Sequence, residues 1–405
     1  MNGQSTPTGV ESSAAPQRSP AFLRHYLGQL ISFYHPRCLD PRGGYFQFFR
    51  RDGSVFEPQM RHLVSSARIA VNYAFAYRQS GSPEHRAAIA HGIDYLRAAH
   101  RNARTGGYAW LLRDGEVVDA TNHCYGLAFV MLAYAKAAQS GFHEARTYVD
   151  ETWEILEARF WEPRHGLYAD EASADWTLSP YRGQNANMHL CEAFIAAFEA
   201  TGVSRFLDRA ALLADHMVNR QAALCGGQVW EHYDTDWQVD WLYNKGDRSN
   251  IFRPWGLQPG HQIEWAKLLL LLERHDPRPW RANRAGELFR TAVELAWDRR
   301  NEGLIYGYDE NGGAYDRDKY SWVQAEAMAA AALLAQRSRE TYYVDWYDRI
   351  AAYSWRVFVD PQYGCWHRIR TPDNAPCDEE GCFSGLTDYH TMSACTDIIA
   401  ALAPV

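Results

Sequence analysis

The chain has 405 residues, 47% hydrophobic and 22% charged, with a formal net charge of −8. That is the composition of a globular protein with a large core. The acidic balance, without any run of Lys or Arg, excludes a nucleic-acid groove, and no stretch approaches the roughly 18 apolar residues of a membrane span.

From the amino end, Met1 to Pro20 is rich in Ser, Pro, Ala and Gly and lacks the apolar centre of a secretory signal. It reads as a disordered leader, with residues 21–405 as one catalytic domain. The eight cysteines are scattered, and only Cys377 and Cys382 are close together. No second pair accompanies them, so zinc is not indicated. Reduced thiols and a cytoplasmic location are the expectation, with a local disulfide or metal at Cys377/Cys382 as the alternative. Aromatic residues make up 14%, including 15 Trp and 24 Tyr. Most serve as core, and the surplus suits an aromatic-lined cleft for a polar ligand.

Short glycine–aromatic segments recur along the chain: Gly43-Gly44-Tyr45, Gly106-Gly107-Tyr108, Gly166-Leu167-Tyr168, Gly226-Gly227-Gln228-Val229-Trp230, Gly303-Leu304-Ile305-Tyr306 and Gly364-Cys365-Trp366. They lie 63, 60, 60, 77 and 61 residues apart, which marks an internal repeat. Several run into hairpin turns such as Arg51-Asp52-Gly53 and Glu310-Asn311-Gly312. Between them the apolar spacing predicts helix pairs: 61–80 and 84–100, 122–139 and on to 160, 187–200 and on to 219, 261–274 and 280–299, and 320–336 and on to 358. Helices at 21–35 and 389–402 complete a set of twelve. Six helical hairpins of this kind close into an all-α (α/α)6 barrel with β-hairpin loops at one rim. The even-numbered helices would form the inner ring, their first turns facing a rim pocket.

Polar residues gather at those first turns. Arg68 interrupts a small, apolar stretch, and Asn122-His123-Cys124-Tyr125 opens the fourth helix. Asn185 and His189 share a face at i, i+4, as do Trp322 and Glu326, while His261 and Glu264 do so at i, i+3. Thr387-Asp388-Tyr389-His390 opens the last helix. Converging polar groups inside an apolar ring are costly unless they serve each other or a ligand. Metal chemistry is disfavoured by the Arg and by the absence of a compact ligand motif, and no nucleotide-binding loop is present. Two histidines and an arginine suit proton transfer beside a carbonyl, through an enediolate. Returning the proton to C1 gives a ketose, and returning it to the other face of C2 gives an epimer. The acidic residues Glu231, Glu264 and Glu326 leave glycoside hydrolysis open, and a non-enzymatic binding role is a further alternative.

Six motifs carry a family resemblance: Ala67-Arg68, Tyr125-Gly126-x-Ala128-Phe129, Asn185-x-Asn187-x-His189, Pro259-Gly260-His261-x-x-Glu264-Trp265, Trp322-Val323-Gln324-Ala325-Glu326 and Asp388-Tyr389-His390. Together they resemble the N-acylglucosamine 2-epimerase superfamily, over nearly everything after residue 20. The resemblance implies an (α/α)6 barrel and cofactor-free, histidine-based proton transfer on a small sugar, with no metal. It implies that His261 and His390 are the acid/base pair, Glu264 the carboxylate orienting His261, and Arg68 the oxygen-polarising group. His189 and Asn185 would bind hydroxyls, Tyr125 and Trp322 would wall the pocket, and Glu231 is a weaker sugar-binding candidate. The string Thr387-Asp388-Tyr389-His390-Thr391 is similar to the mannose-isomerase branch. No Trp stands in Phe383-Ser384-Gly385-Leu386-Thr387, where cellobiose epimerases carry one. The expected reaction is D-mannose–D-fructose isomerisation, extending to D-lyxose and D-xylulose, with 2-epimerisation of mannose, cellobiose or N-acylglucosamine as the alternative. The sequence gives no oligomeric state.

Overall fold

A computed structural model describes residues 15–403, except 249, 251 and 378–386. Twelve α-helices follow in chain order among the described residues: α1 (Pro20–Tyr34), α2 (Leu63–Ser80), α3 (Pro83–Tyr95), α4 (Cys124–Gln139), α5 (Ala145–Arg159), α6 (Gln184–Thr201), α7 (Ser204–Asp215), α8 (Pro259–Glu273), α9 (Pro279–Ala296), α10 (Ser321–Ser338), α11 (Thr341–Val357) and α12 (Tyr389–Leu402). Single π-helical turns, Leu96–His100 and His216–Gln221, continue α3 and α7.

Even-numbered helices pack side by side in sequence, and α12 returns to pack on α2, closing the ring. The burial pattern follows from composition. Inner helix α10 is rich in Ala and is buried continuously from Val323 to Leu334. The outer helix α7 buries only Phe206, Ala210, Leu213 and Ala214, one stripe at helical spacing. Small residues inside and amphipathic helices outside make a two-layer toroid, an (α/α)6 barrel.

The rim is held by short antiparallel pairings that link neighbouring repeats. The segment before each inner helix pairs with the hairpin of the next unit: Met60–His62 with Leu111–Arg113, Asn122–His123 with Glu171–Ala172, Arg182–Gly183 with His232–Tyr233, and Lys319–Tyr320 with Ile369–Arg370. A single bridge, Leu257 to Tyr308, does the same before α8. Residues Arg61 and His62, expected in the first helical turn, therefore belong to this rim strand. At the repeat glycines the chain turns back in the left-handed region, as at Gly303 (φ 82°). There a Cβ would also lie 2.3 Å from the Tyr353 ring.

Three of the turns are fastened to the following inner helix by a side-chain amide. Asn187 Oδ1 accepts from Tyr168 N (2.9 Å) while its Nδ2 donates to Tyr168 O (2.9 Å). Gln262 does the same for Val229 and Gln324 for Leu304. A two-point amide clamp thus recurs in three repeats and ties each hairpin to the helix that carries site residues. At the amino end, order begins before the expected boundary: Pro16–Arg18 form a 3-10 turn, and Arg18 pairs with Asp348 on α11. The rest of the expected leader lies outside the described residues.

Asn187→Ala removes both partners of a buried peptide unit, and each unsatisfied group costs about 1–3 kcal/mol. We expect a clearly lowered denaturant midpoint with the fold retained, read by circular dichroism during urea titration.

Candidate active site

Counting from their first residues, the inner helices present their side chains to the barrel axis in layers. The second residues are Val64, Tyr125, Asn185, Gly260, Trp322 and His390. The sixth residues, nearly two turns in, are Arg68, Phe129, His189, Glu264, Glu326 and Ala394. The ninth include Glu192, Lys267 and Asp397. Because every repeat enters the ring at the same phase, residues far apart in sequence meet at one depth. The first two layers line a cavity of about 130 Å³ that holds Arg68, Tyr125, Asn185, His189, His261, Glu264, Trp322 and His390. Eight of the nine residues expected at the site are thereby brought together. Phe252, Tyr306, Tyr320 and Arg368, which no helical spacing singles out, also line it from the rim.

His390 is placed by three elements. Asp388 caps α12 in the left-handed region (φ 47°), a conformation Asp tolerates better than most residues. Tyr34 of α1 donates to its carboxylate (2.6 Å), and Asn72 of α2 donates to the Thr387 carbonyl. On the ring itself, Nδ1 lies 2.8 Å from Glu326 Oε1. A carboxylate can only accept, so Nδ1 carries the proton and Nε2 faces Arg68 Nη2 at 3.4 Å. Burial first, and then the Arg68 charge, hold His390 well below the ordinary imidazole range. It is neutral at neutral pH, with a basic Nε2 beside a fixed cation. The guanidinium also donates to Tyr125 OH (3.0 Å) and stacks over Phe129 and Tyr389.

The partner of His261 corrects the sequence reading. Glu264 does not orient it: His261 Nδ1 lies 2.9 Å from Glu231 Oε1. Although i, i+3 places His261 and Glu264 on one helical face, they sit at different depths, and Glu264 approaches His189 instead (3.8 Å). Glu231 is also corrected as a sugar ligand. Its carboxylate stands behind the imidazole and takes a second hydrogen bond from Gln184 Nε2 (3.1 Å), whose Oε1 accepts from Trp265 Nε1 (2.8 Å). Trp322 lies between the two imidazoles, 5.1 Å from the His261 ring and 5.5 Å from the His390 ring. It comes that close because residue 260 is glycine, where a Cβ would meet the Trp322 ring at 2.4 Å.

His189 donates through Nδ1 to Glu192 (3.1 Å), which also accepts from Tyr389 OH (2.6 Å). Burial works to raise Glu192, but those hydrogen bonds and the nearby Lys267 outweigh it and hold the carboxyl well below its usual range. Glu264 is the opposite case. Both its oxygens are buried without a hydrogen-bond partner among the described residues. Burial and the adjacent Glu326 push it well above the carboxylate range, which favours its neutral form. Asn185 Oδ1 is likewise buried without a described partner and lines the cavity. It is an acceptor left for a hydroxyl.

Among the described residues, three clusters bring His and carboxylate ligand atoms within 4.8 Å of one another: His123 with Asp170 and Glu171, His189 with Glu192 and Glu264, and Glu264 with Glu326 and His390. The first is committed to Arg253, and the other two sit beside Arg68 and Lys267, whose charges oppose a cation.

Residues 44–394 match the family model of N-acylglucosamine 2-epimerase. The chain belongs to the N-acylglucosamine 2-epimerase family. Within it, the chain is similar to a D-mannose isomerase of Marinomonas mediterranea, 50% identical over 386 residues that cover 95% of this chain and 98% of that one. A D-mannose isomerase of Thermobifida fusca is 36% identical, covering 89% of each chain. A crystal structure of a D-mannose isomerase superposes with a TM-score of 0.93 at 49% identity, covering 98% of this chain and all of the other. These family relatives agree with the (α/α)6 barrel and with an enzyme of the isomerase or epimerase type.

Because Glu231 fixes the His261 tautomer from behind, Glu231→Gln should lower kcat by about 10- to 100-fold with little change in KM. Steady-state kinetics check this. The depressed His390 also predicts that its basic form survives acidification, so the acid limb of kcat/KM falls below pH 6.5, the ordinary imidazole value.

Proposed function

We propose that this family member interconverts D-mannose and D-fructose, extending to D-lyxose and D-xylulose, by proton transfer through an enediolate. The observation that carries the reading is the neutral His390, its bare Nε2 aimed into the cavity beside Arg68. In the open-chain aldose, a base at that position takes the proton from C2, and the electrons shift through C1 onto the carbonyl oxygen. Arg68 meets the negative charge that develops there. The protonated imidazole then returns the proton to C1, while the O2 proton passes to O1, so that C2 becomes the ketose carbonyl and O1 a hydroxyl. No redox partner is consumed.

The remaining groups fit positions around that chain of atoms. Asn185, His189 and Glu264 offer hydrogen bonds to hydroxyls, and Tyr125 and Trp322 form the walls. The names of the similar proteins support mannose as the sugar. Free buried thiols at Cys38, Cys124, Cys191 and Cys395 support a reducing, cytoplasmic setting. No helix among the described residues is long and apolar enough to cross a membrane. The Cys377/Cys382 alternative lies partly outside the described residues, since Cys382 falls within 378–386.

A second imidazole with its own carboxylate, His261 on Glu231, is the arrangement a 2-epimerase would use to reprotonate C2 from the other face. Product analysis separates the two readings. Incubation with D-mannose should yield fructose, and glucose as the sole product would overturn the isomerase. His390→Ala and His261→Ala should each lower kcat at least about a hundredfold, the scale of general acid–base catalysis. EDTA should leave the rate unchanged.

A further inference from the structure

Lys267 takes no part in the chemistry described so far. It lies in the ninth-residue layer of α8, below the cavity and outside its lining. Its Nζ is 2.6 Å from Glu326 Oε2, with side-chain exposures of 1% and 0%. The other oxygen, Oε1, holds His390 Nδ1 at 2.8 Å. One carboxylate therefore joins a buried ammonium to the imidazole that faces the sugar. The second histidine is braced differently: Glu231 behind His261 is met by the neutral amide of Gln184. An amide fixes direction, whereas an ammonium also biases the proton count of whatever it touches.

We propose that Lys267 is a positioning residue that keeps the Glu326–His390 pair one proton short, so that His390 presents a bare Nε2 to the sugar. The inference rests on the reading of His390 as the base.

The surroundings make that bias necessary. Around Glu326 stand Glu264 and Lys267 from α8, Glu192 and His189 from α6, Arg68 from α2, and His390 and Asp397 from α12. Burial raises Glu326, and Lys267 is the largest influence pulling it back. Lys267 also acts against a charge on His390, along with Arg68. Without the ammonium, the pair faces the remaining carboxyls in a water-poor interior and takes up a proton. That proton can sit on Glu326, with the imidazole proton moved to Nε2, or it can sit on the ring. The pair titrates as a unit, and in both forms Nε2 is blocked.

The test is the pH profile of mannose isomerisation for Lys267→Met and Lys267→Arg. In Lys267→Met the acid limb of kcat/KM should move to higher pH by at least about one unit, a tenfold loss at a fixed pH on the limb. The rate should recover on the alkaline plateau. Lys267→Arg keeps the charge and should leave the limb in place. A loss in Lys267→Met that is equal at every pH, with an unmoved limb, would reduce Lys267 to a structural residue and overturn the proposal. An equal limb shift in Lys267→Arg would also overturn it. If Lys267→Met does not fold, Glu326→Gln decides: with the ammonium retained and the carboxylate gone, the limb should move to lower pH, and an alkaline shift or none overturns the idea. The two readings fail separately. Activity in His390→Ala removes the base itself, whereas an inactive His390→Ala with an unmoved Lys267→Met limb removes only the role of Lys267.

Discussion

The ion pair between Lys267 and Glu326 joins α8 to α10 inside the barrel, and neither side chain reaches water. In such surroundings an unpaired charge is worth several kcal/mol of destabilisation, so every charge must find its opposite locally. The layers show how this is met. Lys267 meets Glu326 directly, and hydrogen bonds from His189 and Tyr389 hold Glu192 well below the carboxylate range, while burial beside Glu326 pushes Glu264 well above it.

This balance gives the two histidines different characters from similar parts. Both are held by a carboxylate on Nδ1, and both flank Trp322. His390 is crowded by cations, which favour its neutral form. His261 is set by a chain of neutral donors running from Trp265 through Gln184 to Glu231. A site built this way can move protons on either side of a planar enediolate.

Much of this was readable in the residues because the repeat is strict. Glycine–aromatic segments about 60 residues apart gave the number of hairpins. A constant phase then gave the inner-layer positions of Arg68, Asn185, His189, Trp322 and His390 without any contact being known. What stayed hidden were pairings between repeats. The family resemblance implied that Glu264 orients His261, and i, i+3 spacing puts the two on one face, yet the carboxylate beside His261 came from a loop thirty positions upstream. Glu231 carries no periodic signal, because its position depends on the pairing of Arg182–Gly183 with His232–Tyr233. Lys267 had a faint mark, a lone cation in an apolar run of α8, but a helical Lys is ordinarily a solvated one. Glu192 stood three residues beyond His189 and could have been found by the same i, i+3 rule that misled at His261.

Closure of the ring, with α12 packed on α2, has a mechanical consequence. An open stack of helical hairpins frays from its ends, and its outermost units need polar caps. A closed ring has no outermost unit. Every inner helix is gripped on both sides, and five of the hairpins are cross-linked at the rim to the strand of a neighbour among the described residues. Loss of any one unit therefore releases two interfaces at once, so the barrel opens as a whole or not at all. Groups drawn from six separate helices are thereby held to one shared geometry, and the chain achieves with a cyclic arrangement the stiffness that smaller enzymes obtain from a continuous sheet.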